Sequence, residues 1–404
     1  MIKKLKLSAI VVLCVAIVIT MGLVGCKTAT TETTAAATTA SAETTVAETT
    51  AAATTAAETT APIKEGDWLT LPDVSGLKVD GSIGYSAPTF DNYYWSDSLK
   101  FIEEVMGNAG AKVLSFDPKW DPLQQQKGIE GFISAGVKGV IMCPADQTSA
   151  PSVVDLLNKA NIPVIWINEV MSVDPTTMVT GIGTSPYYDG QLVADALIKY
   201  TGTKGNVIII DLPAYFGTRE RIRGAVDRLK EKAPDIKIIA QEKWGGTQSP
   251  SPITAQQQTD VLIQKYGDQI DAIIAIADPC AMGIVASVEA AGLQDKIKVY
   301  SYDGSAEAIQ AMKDKRPLYC TTMLYPEQAG KWSASMMIEY LNNGPSAIPA
   351  EVLMFNSGIM LQEDAIAGKT AAETIPDLSK FVKAMSLLNY PNLDPEWVKK
   401  EESK

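Results

Sequence analysis

The 404-residue chain contains no histidine. That absence excludes Ser-His-Asp and Cys-His nucleophile systems and every zinc site that uses an imidazole. It also removes the one side chain whose ordinary pKa lies near neutrality. Chemistry here would have to rest on carboxylates, Lys, Tyr or Cys. Positive charge is short as well: 35 Lys and Arg face 47 Asp and Glu, for a formal net charge of −12 and a pI near 4.7. Binding nucleic acid needs a basic face, so nucleic acid is excluded as a partner. There is no Asn-x-Ser/Thr sequon, the usual mark of a eukaryotic secreted protein. Cysteine is sparse, with five in all. Cys143, Cys280 and Cys320 are spaced too widely for a metal or redox motif and sit in or beside apolar runs. They read as small buried hydrophobes. No metal and no cofactor is expected. What is present is an ordinary globular composition, 46% hydrophobic and 20% charged, over a length that suggests two or three domains.

Lys3, Lys4 and Lys6 precede an apolar run over 7–24, the grammar of a secretory signal. The run ends Leu23-Val24-Gly25-Cys26, which resembles the bacterial lipobox. There a small residue precedes a Cys that is diacylated and becomes the new N-terminus. An uncleaved signal anchor is the alternative, since the run is long enough to span a membrane. Residues 1–26 are therefore read as a lipoprotein signal, with Cys26 as the lipidation site. The expected location is the extracytoplasmic face of a bacterial cell membrane, held by lipid; two acyl chains suffice for stable anchoring. Residues 27–66 are a linker, composed of Thr, Ala and Glu almost exclusively up to residue 62. Such sequence has too little apolar surface to offset its ordering entropy and is expected to be disordered.

From residue 78 onward, short apolar runs alternate with amphipathic stretches. Strands are predicted at 81–87, 112–116, 139–143, 163–168, 178–183, 206–211, 236–241, 271–278, 297–303 and 318–324. Their near-continuous Val and Ile content suits strands buried on both faces of a parallel sheet. Between them the spacing turns helical: Leu99, Ile102, Met106 and Ala109 share one face, as do Ile222, Val226, Leu229 and Ala233. Gly110, Gly136 and Gly202 fall where helix C-caps are expected. Repeated βαβ units mean an α/β fold with parallel sheets, and this many strands split naturally into two Rossmann-like lobes.

Ligands of such sheets bind outside the carboxyl ends of the strands. The polar and aromatic residues just after each run are Tyr94, Trp95, Asn168, Glu169, Arg219, Arg221, Trp244, Asp278 and Asp303. Two aromatics, a guanidinium and several carboxylates converging on one edge suit a small polyhydroxylated ligand. Aromatic faces pack on the C–H face of a sugar ring, carboxylates accept hydroxyl hydrogen bonds, and an Arg fork donates to neighbouring oxygens. Singly, none of these signals is specific. An Asp after a strand is also a common helix N-cap, and Arg219 and Arg221 could pair with Glu220 or Asp227 on a solvated helix. Trp166, in mid-strand, reads as core.

In order and spacing, these stretches resemble the ribose-type (type I) periplasmic sugar-binding proteins, the substrate-binding components of ABC importers. The likeness covers about residues 78–365. Asn92-Tyr93-Tyr94-Trp95 stands where that family carries an aromatic pair that sandwiches the sugar. Lys159-Ala160-Asn161-Ile162-Pro163-Val164-Ile165 matches its NIPVI segment, followed by Asn168-Glu169 where relatives usually show Asp-Arg. Asp189-Gly190-Gln191-Leu192-Val193-Ala194 resembles the helix after the first hinge crossing. Arg219-Glu220-Arg221-Ile222-Arg223-Gly224 is similar to R-x-R-x-x-G, whose first Arg reaches the ligand. Asp278-Pro279-Cys280-Ala281-Met282-Gly283 resembles N-D-x-x-A-x-G, and Tyr302-Asp303-Gly304 the F-D-G that supplies a ligand-binding Asp.

The resemblance implies lobe 1 over 78–183 and 326–352, and lobe 2 over 184–325 and 353–365. A C-terminal extension, 366–404, follows. The three hinge crossings are expected near Thr184, Pro326 and Leu353. The ligand-binding set implied is Asn92, Tyr94, Trp95, Asn168, Glu169, Arg219, Trp244, Asp278 and Asp303, in a monomeric, non-enzymatic protein. Closure of the lobes on a ligand would present it to the ABC permease transmembrane subunits. Departures bear on the ligand: Cys143, Ala277 and Leu324 replace amides of ribose-binding relatives, and Glu169 replaces an Arg. Ribose itself is disfavoured, leaving a different sugar, or a sugar-like ligand with an amine facing Glu169. Two rival readings use the same residues. One is a binding protein that presents its ligand to a membrane sensor; the other is a glycosidase built on two of Glu169, Asp278 and Asp303.

Overall fold

A computed structural model describes residues 71–168, 180–213, 215–245, 250–348, 352–355, 357–374 and 383–385. The signal, the linker, Cys26 and Glu169 lie outside the described residues. Five strands come first: β1 (Ser82–Ser86), β2 (Lys112–Phe116), β3 (Val140–Met142), β4 (Val164–Ile167) and β5 (Thr180–Thr184). The next five are β6 (Lys204–Asp211), β7 (Asp235–Lys243), β8 (Ala272–Ile274), β9 (Lys298–Asp303) and β10 (Leu318–Met323). All ten overlap strands expected from the apolar runs. The short strands β11 (Val352–Phe355), β12 (Ile359–Leu361) and β13 (Lys383–Met385) were not anticipated.

The strands form two sheets, ordered β13-β11-β5-β4-β3-β1-β2 and β12-β10-β9-β8-β6-β7. Pairing is parallel except at the ends, where β12 runs antiparallel to β10 and β13 antiparallel to β11. Those antiparallel edges escape an argument from βαβ repetition because each is only three residues long. The central strands β3, β4 and β8 are wholly buried, whereas the edge strands β2 and β7 are partly exposed. This is the pattern of parallel sheets covered on both faces by helices. Trp166 is fully buried in β4, and Cys143, Cys280 and Cys320 are buried too.

The longer helices are α1 (Tyr93–Asn108), α2 (Pro122–Ala135), α3 (Ala150–Lys159), α4 (Pro186–Thr201) and α5 (Phe216–Lys232). They continue as α6 (Pro252–Tyr266), α7 (Asp278–Ala290), α8 (Ala306–Lys313) and α9 (Pro326–Asn343), with the short α10 (Gln362–Ile366) last. Their starts are written locally. The Asn92 side chain accepts from the Tyr94 amide at 2.9 Å, and Asp121 caps α2 just before Pro122. Ile102, Met106 and Ala109 are buried, as are Ile222, Leu229 and Ala233, so both predicted apolar faces point inward.

The chain passes between sheets three times: at Thr184–Pro186, at Leu324–Tyr325, and between Phe355 and Ile359. The first lies at Thr184 and the second just before Pro326. The third corrects the expectation of Leu353, because β11 pairs with β5 through Phe355↔Thr184 and so belongs to the first sheet. Residues 353–355 are therefore part of lobe 1. Within 366–404, residues 383–385 pair with β11 and extend that same sheet. The second and third crossings are bonded to each other, since the Gly358 amide donates to Tyr325 Oη at 2.6 Å. A Cβ at Gly358 would lie 2.6 Å from that oxygen, so only glycine allows the approach.

Candidate ligand cavity

The carboxyl ends of β1 and β4 in the first sheet face those of β6 and β9 in the second across a cavity of about 300 Å³. That volume suits a small molecule rather than a chain. Five of the ligand-binding set implied by the resemblance line it, Asn92, Tyr94, Trp95, Asn168 and Asp303, together with Arg221 from the residues read just after the strands. Tyr94 and Trp95 form one wall, in edge-to-face contact with centroids 4.8 Å apart. They sit in the first turn of α1, where the Asn92 cap sets the helix phase. Asn168 follows β4 in a left-handed conformation, φ 68°. Its amide donates to Ile182 O at 2.6 Å, and its backbone crosses so close to Gly183 that a Cβ there would lie 2.8 Å from Asn168 Cα.

Asp303 ends β9 with φ 111°, a conformation that non-glycine residues rarely adopt. Its carboxylate pairs with Arg221 at 2.9 Å (Nη1–Oδ1). Burial raises its pKa above the usual carboxylate value, against the pull of the Arg221 charge.

Arg219, Trp244 and Asp278 are not brought to the cavity. Arg221 is there in place of Arg219. The two lie about 200° apart around α5, so only one can face the ligand. Arg219 instead stacks on Phe216, 5.6 Å from the ring centroid, and donates to Pro213 O at 3.3 Å. Trp244 is packed into the core of the second lobe. Asp278 is buried behind Asp303, where it accepts from the Ser305 amide at 2.7 Å and from Thr321 Oγ1 at 2.8 Å. Burial and the nearby Asp303 charge push its carboxyl up to about 7. Of the three positions where amides are replaced, Ala277 and Leu324 line the cavity, while Cys143 is buried in the first lobe's core.

Two lining aromatics were missed. Trp120, from the loop before α2, meets Tyr215, from the loop before α5, edge to face at 5.7 Å and 89°. Trp120 has φ 62°, and its amide donates to Pro88 O at 2.6 Å. Tyr215 Oη donates across the lobes to Ala145 O at 2.5 Å, and Tyr93 Oη donates across to Asp303 O. These contacts join the lobes around the cavity. The signal that could have found them is position: each sits at or just before a helix N-cap, one loop beyond its strand.

With this geometry in hand, residues 83–345 match the periplasmic binding protein domain family. The ribose import binding protein RbsB of Bacillus subtilis is 25% identical over 64% of this chain and 81% of its own. The fructose import binding protein FruE of Bifidobacterium longum is 25% identical over 65% and 79%. Among solved structures, a Bacillus halodurans ABC transporter solute-binding protein with bound myo-inositol superposes with a TM-score of 0.62. It shares 22% identity over 72% of this chain and 98% of that one. A galactofuranose-binding protein gives 0.65 at 21% identity over 72% and 99%. A family match over most of the chain, two parallel sheets joined by three crossings, and a cavity at their facing edges agree: the chain belongs to the periplasmic binding protein family, in its ribose-type group.

Proposed function

We propose that this chain is an extracytoplasmic solute-binding lipoprotein that captures a small sugar or sugar-like ligand between its lobes and delivers it to an ABC permease. The observation that carries this reading is the cavity between the two lobes. Lobe 1 contributes stacking surface and the Asn92 and Asn168 amides; lobe 2 contributes the Arg221–Asp303 pair. Aromatic faces suit the C–H side of a ring, and a carboxylate beside a guanidinium offers acceptor and donor to neighbouring hydroxyls. Relatives named for ribose, fructose and xylitol point the same way. Ala277 and Leu324 line the wall at two positions where the sequence resemblance implies amides, which supports a ligand with fewer hydroxyls to satisfy there than ribose.

The Asp278–Asp303 combination of the glycosidase reading loses support. Asp278 is turned to Ser305 and Thr321 and does not line the cavity. Closure, with the ligand bridging the lobes, is the step that a permease would recognise. Cys26 would hold the protein at the membrane, with 27–66 as its leash.

A thermal-shift screen of the full chain against pentoses, hexoses, polyols and amino sugars tests the reading. Ligand at about 1,000-fold over Kd adds about 4 kcal/mol, enough to raise the midpoint by several degrees. One responding class, silent with Asp303→Ala, is expected. A folded wild-type protein that responds to none of these would sink the sugar reading.

A further inference from the structure

Asp189 lies in the first turn of α4 and has no exposed surface. Neither carboxylate oxygen accepts a hydrogen bond of ordinary geometry, and the nearby Ser357 hydroxyl offsets only part of the burial. The nearest opposite charge is Arg221, with Nε 3.7 Å from Oδ2. A carboxylate buried with so little compensation destabilises the fold, so its presence calls for another account. Packing explains how it reaches Arg221. A Cβ on Gly190 would lie 2.0 Å from Arg221 O, and one on Gly224 would lie 2.0 Å from Tyr187 O. Helices α4 and α5 therefore touch backbone to backbone, which brings Asp189 beneath the guanidinium.

The Arg221 guanidinium is enclosed. Asp303 holds Nη1 at 2.9 Å, Ile276 O lies 3.4 Å from the same nitrogen, and the Tyr302 ring centroid is 4.9 Å from Cζ. Asp189 closes the remaining side, at Nε. We infer that Asp189 is a positioning residue for the cavity: it holds Arg221 in place and balances its charge, so that the site favours uncharged sugars over sugar acids. With Asp303 on one side and Asp189 on the other, the single guanidinium faces two carboxylates. Little positive charge is left for an anionic ligand. The ligand-charge part rests on the sugar reading; the hold on Arg221 does not.

Acid should undo the arrangement. The groups facing Asp189 are Arg221 from α5, Asp303 and Tyr302 from β9, and Tyr325 and Ser357 from the second and third crossings. Burial pushes the Asp189 carboxyl up to about 6 despite Arg221 and Ser357. Protonation between pH 7 and 5 would then release the guanidinium's Nε side.

The test is D189N in the full-length protein, read first without ligand through the Arg221 Nε–H signal in ¹⁵N NMR, assigned with R221K. Exchange of that hydrogen should quicken about tenfold in D189N at pH 7, because the carboxylate charge that holds the guanidinium's Nε side is gone. The thermal midpoint should stay the same or rise, because a buried charge has gone. Wild type at pH 5, corrected for intrinsic exchange, makes the same comparison should D189N fail to fold. Exchange that is unchanged in both overturns the positioning role. The second readout is the affinity ratio of glucose to glucuronate and of galactose to galacturonate. D189N should shift it about tenfold toward the acids, and an unshifted ratio overturns the charge-balancing role. If wild type binds neither member of either pair, the charge-balancing role falls for these ligands. The exchange result then still decides whether Asp189 holds Arg221.

Discussion

The first lobe presents Tyr94, Trp95 and Trp120 to the cavity, whereas the second presents the Arg221–Asp303 pair with Asp189 beneath it. The aromatic wall rests on local rules. A cap at Asn92 starts α1, and Tyr94 and Trp95 follow at the helix phase it dictates. The charged wall rests on groups far apart in sequence, from α4, α5 and β9, and Asp189 reaches Arg221 because two glycines let α4 and α5 touch. The difference lies in how each wall fails. An aromatic side chain that is lost forfeits area and contact, while a partner lost from a buried ion pair leaves charge behind. The lobe 2 wall should therefore be the more brittle.

The largest expected effect tests that directly. Arg221→Ala strands Asp303 and Asp189 together, and should cost about 3–5 kcal/mol of stability in urea unfolding while abolishing binding. A loss under about 1 kcal/mol would mean that the carboxylates find other partners and that the two walls are alike. Next comes Trp120→Ala, which removes the inter-lobe aromatic contact from a partly buried side chain. Ligand affinity should drop about five- to tenfold in calorimetry, with a smaller change in the unfolding midpoint than Arg221→Ala gives. Tyr215→Phe keeps the ring and deletes only the hydroxyl that bonds Ala145 O. A loss of about threefold in affinity, with a larger radius of gyration by ligand-free X-ray scattering, is expected. An unchanged radius would show that this hydroxyl does not hold the lobes together.

The smallest effect concerns pH. Burial and the neighbouring Asp303 charge push the Asp278 carboxyl up to about 7 in the folded state, well above the usual carboxylate range. Between that range and the raised value the folded state holds a proton that the unfolded state has lost, so this group's contribution to stability falls as pH rises toward 7. Asp278→Asn should flatten the dependence of the midpoint between pH 5 and 8 by a few degrees. The upward shifts of Asp303 and Asp189 act in the same direction, so some slope should remain. A steeper slope in the variant would contradict the assignment.

Much of this architecture was legible in the chain. Runs such as 206–211 and 297–303 are apolar enough to be buried on both sheet faces, and each became a central strand. Prolines at or next to the first position of α2, α4, α6 and α9 mark helix starts that the backbone respects. Asn168 and Asp303 reached the cavity because they stand at or one residue beyond a strand end, and Asn92, Tyr94 and Trp95 because the Asn92 cap fixes the first turn of α1. Arg219 did not, because a motif names a stretch of helix while the cavity admits one face of it. Trp120 and Tyr215 were missed because loops after strands are shaped by contacts such as Trp120 N to Pro88 O, which no local rule supplies.

The amino-acid sequence by itself determined the fold class, the two-lobe division, the exclusion of imidazole chemistry, and the Tyr94–Trp95 part of the cavity's aromatic side. Those properties depend on composition, short-range periodicity and helix caps, all of which act within a few residues along the chain. The tertiary structure alone decided which arginine faces the cavity, where the third crossing falls, and that Asp278 supports Asp303 from behind. It alone set Asp189 under Arg221. Each of these depends on helix phase and on close approach between segments tens of residues apart, and packing settles such distances only when both lobes are formed.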